Sequence, residues 1–269
     1  MAALTCPGLN LAHTLDSGQF FRYALHQDWY YIVTRDTVFR VRQEGGLLEC
    51  DGASARFVKH FFALDQDYDS LTRQLRADPV LAAAMREYHG MRIIHQDPWE
   101  CTIAFLCSQV SNIKKIRKNL ECIAEQFGKE VFFKGRRFFT FPGPGEINDA
   151  AKLKKCAVGF RAKYILGVNE HASDAWFARL RSMTYEHAKE QLTELPGIGE
   201  KVADCILLFS LGFTEAFPVD VWMERALKET YLKGKKVSLK NMAAFGRERW
   251  GKLAGYAQQY LYHWRRLHR

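Results

Sequence analysis

Lys201 and Asp220 have the residue types and setting for covalent chemistry. The lysine stands in Leu195-Pro-Gly-Ile-Gly-Glu-Lys-Val-Ala-Asp-Cys205. The aspartate stands in Pro218-Val-Asp-Val221, 19 residues further on (220 − 201). A deprotonated lysine amine is a nucleophile that forms Schiff bases, and a nearby carboxylate stabilises positive charge developing at the attacked carbon. Apolar surroundings favour the neutral amine, and Cys205-Ile-Leu-Leu-Phe209 carries the helix after Lys201 into a core. Cys205 lies four residues on, on the same helical face as Lys201. The plain alternatives are a solvated or phosphate-contacting lysine and an aspartate that only caps the helix starting at Val221. Capping and catalysis are compatible, because a cap fixes the carboxylate in place.

These two residues need a rigid mount. A short helix over 185–194 ends at Leu195-Pro196, because proline cannot continue it. Gly197 and Gly199 give the turn backbone freedom. The next helix starts near Gly199, and its first amides have no intrahelical partners. Small residues there let a phosphate approach the backbone. Such a turn grips a nucleic-acid strand without reading its bases. A plain turn between packed helices is the competing reading of Pro-Gly-x-Gly alone.

The whole chain has 269 residues, 48% hydrophobic and 26% charged, which suits a folded protein with a sizeable core. Its formal net charge of +9 is compatible with a polyanionic partner. The 7 cysteines are irregularly spaced with no Cys-x-x-Cys pair, which argues against a disulfide framework, a zinc site or an iron–sulfur cluster. They read as buried thiols in a reducing compartment. The N-terminus lacks a signal-peptide pattern and the apolar stretch over 202–213 is far short of a membrane span, so an intracellular protein without a membrane partner is expected.

The first 90 or so residues mix β-branched and aromatic residues around turn signals at Arg35-Asp36 and Gly45-Gly46. They predict antiparallel strands, followed by helices over 51–62 and 69–85. From Asp97-Pro98 the pattern predicts helices over 99–108, 112–127, 148–154, 160–172, 185–194, 199–211, 221–230, 242–250 and 254–264. Phe141-Pro-Gly-Pro-Gly145 breaks the series. The expected class is α+β, an N-terminal antiparallel β-containing domain over 1–96 followed by a mostly helical region over 97–269.

The string from Leu195 to Cys205, with Pro218-Val-Asp220, resembles the helix-hairpin-helix motif and aspartate loop of the DNA glycosylase superfamily. Leu15-Asp-Ser-Gly-Gln-Phe-Phe-Arg22 is similar to a segment of the 8-oxoguanine DNA glycosylase branch, as are Ala254-Gly-Tyr-Ala-Gln-Gln-Tyr-Leu-Tyr262 and the stretches around His95, Ser108 and Arg161. The resemblance spans most of the chain. It implies a bifunctional enzyme of base excision repair that frees 8-oxoguanine from duplex DNA through a lysine Schiff base and nicks the strand by β-elimination. Lys201 is implied as the nucleophile and Asp220 as its electrostatic partner. Gly18, Cys205, Gln258 and Tyr262 are implied to line the base pocket, with the Gly18 carbonyl accepting the N7–H that only the oxidised base carries. Gly197, Gly199, Val110, Asn112, Lys115, Phe160 and Arg161 are implied to contact DNA. A monomer is implied, with no required cofactor or catalytic metal, although hairpins of this family can hold a monovalent cation on backbone carbonyls.

The chain departs from the eukaryotic-type pattern at Val110, where that pattern has asparagine, at Lys115, where it has arginine, and at Phe160, where it has tyrosine. Looser discrimination for cytosine opposite the lesion is therefore expected. Two rivals stand beside this reading. One is a glycosylase of the same fold for alkylated purines, against which the lysine and the Ser-Gly-Gln segment count. The other is a non-catalytic DNA clamp, against which Lys201 with Asp220 counts. Lys233-Gly-Lys-Lys236 and Arg265-Arg266 read as solvated charge, with phosphate contact as the alternative.

Overall fold

The computed structural model describes residues 1–268. Strands β1 (Ala2–Thr5), β2 (Tyr23–His26), β3 (Trp29–Thr34), β4 (Thr37–Glu44) and β5 (Leu47–Asp51) form an antiparallel sheet in the order β1-β5-β4-β3-β2. The β3–β4 pair closes on Arg35-Asp36, with Thr34 opposite Thr37. Helices α1 (Leu11–Asp16) and α2 (Ala55–Phe61) accompany it. Ile32, Phe39, Val41 and Leu48 of the sheet bury against Leu15, Val58 and Phe61 in one apolar core. α1, capped by Asn10, delivers the chain to the Ser17–Gly18 turn.

The larger core belongs to the helices. It also takes in Leu75, Leu81, Met85 and Tyr88, which come from α3 (Tyr68–Leu75), α4 (Pro79–Glu87) and the residue after it. One helix was expected over 69–85; the chain breaks at Asp78, whose carboxylate caps α4 and also binds Tyr231 and Arg249. Pro79, at the first turn of α4, cannot donate the hydrogen bond that would continue α3. Next come α5 (Pro98–Cys107), capped by Asp97 and buried over its whole length, and α6 (Ile113–Phe127), capped by Asn112.

A hairpin, β6 (Glu130–Phe133) with β7 (Arg136–Phe139), then interrupts the helices and was not anticipated. Its signal was Lys134-Gly135, a two-residue loop in which both residues have positive φ. The rest is α7 (Ala150–Lys155), α8 (Ala162–His171), α9 (Asp174–Arg181), α10 (Tyr185–Thr193), α11 (Glu200–Ile206), α12 (Val221–Thr230), α13 (Leu239–Trp250) and α14 (Ala254–Leu267). α9, capped by Ser173, was also missed. The helix expected over 199–211 is α-helical only to Ile206 and continues as a π turn over Leu207–Leu211. Among the described residues no helix is long and apolar enough to cross a membrane.

The cysteine reading needs one correction. Cys122 and Cys156 form a disulfide, while the other five cysteines are free and buried. Packing of α6 against α7 brings their Cα atoms to 5.1 Å, a proximity that a sequence separation of 34 does not announce.

His263 of α14 is buried against Tyr88 and His13, with Arg266 beside it. Burial first, then the Arg266 charge, pushes its imidazole down to about 3. The folded state thus binds the proton more weakly than the unfolded chain. The stability this group contributes is present above the ordinary histidine pKa of about 6.5 and is lost as pH falls towards about 3. At full slope the loss approaches about 1.4 kcal/mol per pH unit. Urea melts between pH 6.5 and 4 should therefore show a shallower pH dependence in His263→Gln; parallel curves for the two proteins would refute this.

Candidate active site

The hairpin is built by α10, the turn over 195–199 and α11. Leu192 and Ile198 anchor it in the core. Gly197 sits at φ +82° and a Cβ there would run into the Tyr164 ring. Both facts demand glycine. Gly199 differs from expectation: its φ of −88° is ordinary, and what glycine provides there is open space, with nothing within 4 Å of where a Cβ would lie. Gln109 ties the α5–α6 loop to this turn by donating to the Gly197 carbonyl at 3.1 Å.

A buried polar lock fixes the two helices. Asp204 of α11 accepts from Tyr185 at 2.6 Å and from Lys189 at 3.0 Å, both on α10. Lys189 also reaches Glu200 at 2.6 Å. Gly197→Ala should destabilise the fold by about 2 kcal/mol or more, from overpacking and a strained φ. A thermal melt within a degree of the wild type would sink that claim.

α11 then presents Lys201. Its Nζ lies 3.2 Å from Ser108 Oγ, at the C-terminal end of α5, and 5.0 Å from the centroid of the Phe105 ring. Asp220 caps α12, its Oδ1 accepting from the Trp222 and Met223 amides at 3.0 and 2.9 Å. Oδ2 carries no hydrogen bond among the described residues, and no ion pair joins Asp220 to Lys201. The two side chains therefore share a wall with their reactive atoms uncommitted to each other.

That wall belongs to a cleft of about 700 Å³ lined by Gly18, Ser108, Val110, Lys201, Asp220 and Tyr262, among others. A smaller pocket of about 40 Å³ opens from the same residues and adds Cys205 and Gln258. All six residues implied in catalysis and base binding thus meet at one place. Another cleft, of about 570 Å³ around Arg35, His60 and His95, holds none of them.

The small pocket has room for little more than one water, about 30 Å³. Tyr262 closes it: a Cβ on Gly18 would stand 3.2 Å from Tyr262 Oη. Gln258 is buried and its Oε1 has no partner among the described residues, an unused acceptor at the pocket wall. Burial pushes the Cys205 thiol up to about 12, with the Lys201 charge opposing. The thiol stays protonated and packs as an apolar wall. Burial likewise pushes the Tyr262 phenol up to about 12, against the Arg266 charge, so its ring stays neutral.

The residues expected on the DNA strand divide into two sets. Val110 is 91% exposed at the tip of the loop before α6, with φ +45°, a costly conformation for a β-branched residue. Phe160 is exposed, and so are Lys115 and Asn112, whose side chain is engaged as the cap of α6. Arg161 is different. It is buried, and its guanidinium donates to the carbonyls of Gln109, Val110 and Val158. Here it braces the Val110 tip from below, a contact across some 50 residues of chain that no local pattern discloses.

An amine and a capped carboxylate on a helix-hairpin-helix, at the mouth of a cleft, place the fold among the helix-hairpin-helix DNA glycosylases. A family model described as 8-oxoguanine DNA glycosylase, N-terminal domain, matches residues 3–102. A Methanothermobacter thermautotrophicus protein named "Probable N-glycosylase/DNA lyase" is 32% identical over 76% of this chain and 72% of its own. The structure of MBOgg1 in complex with a low-affinity DNA ligand is 33% identical, with a TM-score of 0.93 over 99% of this chain and 95% of that one. The Clostridium acetobutylicum 8-oxoguanine glycosylase/lyase, solved with DNA containing cytosine opposite 8-oxoG, is 29% identical, with a TM-score of 0.92 over 100% and 98%. The chain belongs to the 8-oxoguanine DNA glycosylase family.

Proposed function

We propose that this protein is a bifunctional DNA glycosylase and abasic-site lyase that removes 8-oxoguanine from duplex DNA in base excision repair. The observation that carries it is the convergence of Lys201, Asp220, Gly18, Cys205, Gln258 and Tyr262 on one cleft. The lesion is flipped out of the helix. The Lys201 amine attacks C1′, the C1′–N9 bond breaks, and the base leaves with the electron pair. Asp220 stabilises the positive charge on the sugar. The sugar ring then opens to a Schiff base, loss of a C2′ proton expels the 3′-phosphate, and hydrolysis returns the amine.

Gly18 supplies its carbonyl to the N7–H of the oxidised base. Unmodified guanine has a lone pair there and meets that carbonyl unfavourably. Gln258 serves the base edge, while Tyr262 and Cys205 sandwich its faces. In this reading Tyr262 swings off Gly18 to admit the base. Gly197 and Gly199 admit a phosphate to the turn, and Val110, Asn112, Lys115 and Phe160 engage the strand left behind. The reaction as written uses no cofactor and no metal. The enzyme acts as a monomer, and a monovalent cation on the carbonyls of the hairpin is compatible with this scheme.

A duplex carrying one 8-oxoguanine opposite cytosine tests the proposal. Base release followed by nicking, with a borohydride-trapped covalent adduct, is expected. Release of alkylated purines in its place, or binding without release, would each point to one of the rivals.

Val110 cannot hydrogen-bond to an orphaned cytosine, and Lys115 cannot make arginine's bidentate contact. Such a contact is worth about 1–3 kcal/mol. Single-turnover excision should accordingly favour cytosine over thymine as the opposite base only modestly. The double variant Val110→Asn with Lys115→Arg should raise that preference about tenfold. A very large cytosine preference in the unaltered protein would contradict this.

A further inference from the structure

The turn that carries Gly18 is held by side chains from distant parts of the chain, and each takes a carbonyl next to it. Arg266 Nη2 donates to the Asp16 carbonyl at 2.6 Å. Gln259 Nε2 donates to the Ser17 carbonyl at 3.1 Å. Gln96 Nε2 donates to the Gln19 carbonyl at 2.8 Å. The Gln19 side chain is itself fastened, donating to Arg92 O at 2.8 Å and accepting from the Ile94 amide at 2.7 Å. Between these anchors the Gly18 carbonyl bears no hydrogen bond among the described residues.

Gln259 is buried, 2% exposed, and follows Gln258, whose Oε1 is buried without a partner. Two adjacent glutamines of α14 thus have different tasks. Gln258 leaves an acceptor free at the pocket, and Gln259 donates to the turn. A glycine at φ +81° has no side chain to fix its peptide plane, so its carbonyl direction depends on its neighbours.

We propose that Gln259 and Arg266 are positioning residues for substrate discrimination: by occupying the Ser17 and Asp16 carbonyls, they leave the Gly18 carbonyl as the acceptor aimed at the base. The inference rests on the 8-oxoguanine reading above. It extends specificity to two further residues, Gln259 on the small pocket and Arg266 on the cleft, that act through the Gly18 carbonyl. Reading a single N–H requires the acceptor to be held within about half an ångström of its working position. Loosening the turn therefore weakens recognition of the oxidised base more than handling of an abasic sugar.

Gln259→Leu keeps the volume and removes the donor. Arg266→Ala removes the second anchor from a half-exposed site. The measurements are single-turnover excision of 8-oxoguanine, the excision ratio of 8-oxoguanine to guanine, and nicking of a preformed abasic duplex. In Gln259→Leu, excision should fall about tenfold or more beyond any loss in abasic nicking, and the excision ratio should fall with it. Arg266→Ala should move both in the same direction by less, and it decides the matter if Gln259→Leu does not fold. Folded variants whose excision and nicking fall together, or not at all, would overturn the positioning role alone. Unaltered protein that nicks abasic DNA but leaves 8-oxoguanine in place would overturn the substrate reading, and this inference with it.

Discussion

Lys201→Gln should abolish the borohydride-trapped adduct and lower single-turnover excision by about 10⁴-fold or more, the scale of losing a covalent nucleophile. The fold should survive. The one side-chain hydrogen bond Lys201 makes among the described residues, to Ser108 Oγ, is one a glutamine amide can also make, and the side chain stands at a cleft wall rather than in the core. Melting temperatures within a few degrees of each other would confirm that chemistry alone was removed. Two outcomes would refute the assignment. Persistent trapping would mean that another amine attacks. Near-normal base release with loss of nicking alone would mean that water is the nucleophile and the amine acts only afterwards. Cys205 cannot substitute, because burial holds its thiol protonated up to about 12.

Asp220→Asn separates the observed cap from the proposed electrostatic role of one side chain. Asparagine is as good an N-cap as aspartate. Its carbonyl oxygen can take the bonds that Oδ1 now receives from Trp222 and Met223. Stability should therefore change by less than about 0.5 kcal/mol. The charge proposed to face the sugar, however, is gone. Excision should fall about 10²- to 10³-fold, the usual cost of losing an electrostatic stabiliser of a transition state. Asp220→Ala should add a stability loss of about 1 kcal/mol through the missing cap. An Asn variant with wild-type excision would reduce Asp220 to a structural cap.

Local pattern made much of this protein legible. Pro196, Gly197 and the apolar run after Lys201 announced a hairpin, and Val221-Trp222-Met223 behind an aspartate announced a capped helix; both are present. Alternation and turn residues announced the antiparallel sheet. The misses share a cause. Asp78-Pro79 and Lys134-Gly135 are short signals that a long periodic pattern overrides, and they mark the α3–α4 break and the β6–β7 hairpin. Gly199 contributes empty space rather than conformational freedom, and that is a property of its surroundings.

Residue types and their spacing along single helices were enough to nominate an amine, a carboxylate and a hairpin to carry them. Each of these signals is local, a turn before α11 or a cap before α12, and backbone geometry within a few residues fixes it. The pocket proposed for the base is of another kind. Gly18 and Tyr262 stand 244 residues apart (262 − 18), and only the docking of α14 beside the turn after α1 presses one against the other. The same docking puts Gln259 on the Ser17 carbonyl, and a separate fold-back puts Arg161 beneath Val110. Packing of distant elements sets such contacts, because a side chain's partner across the core has no periodic relation to it along the chain.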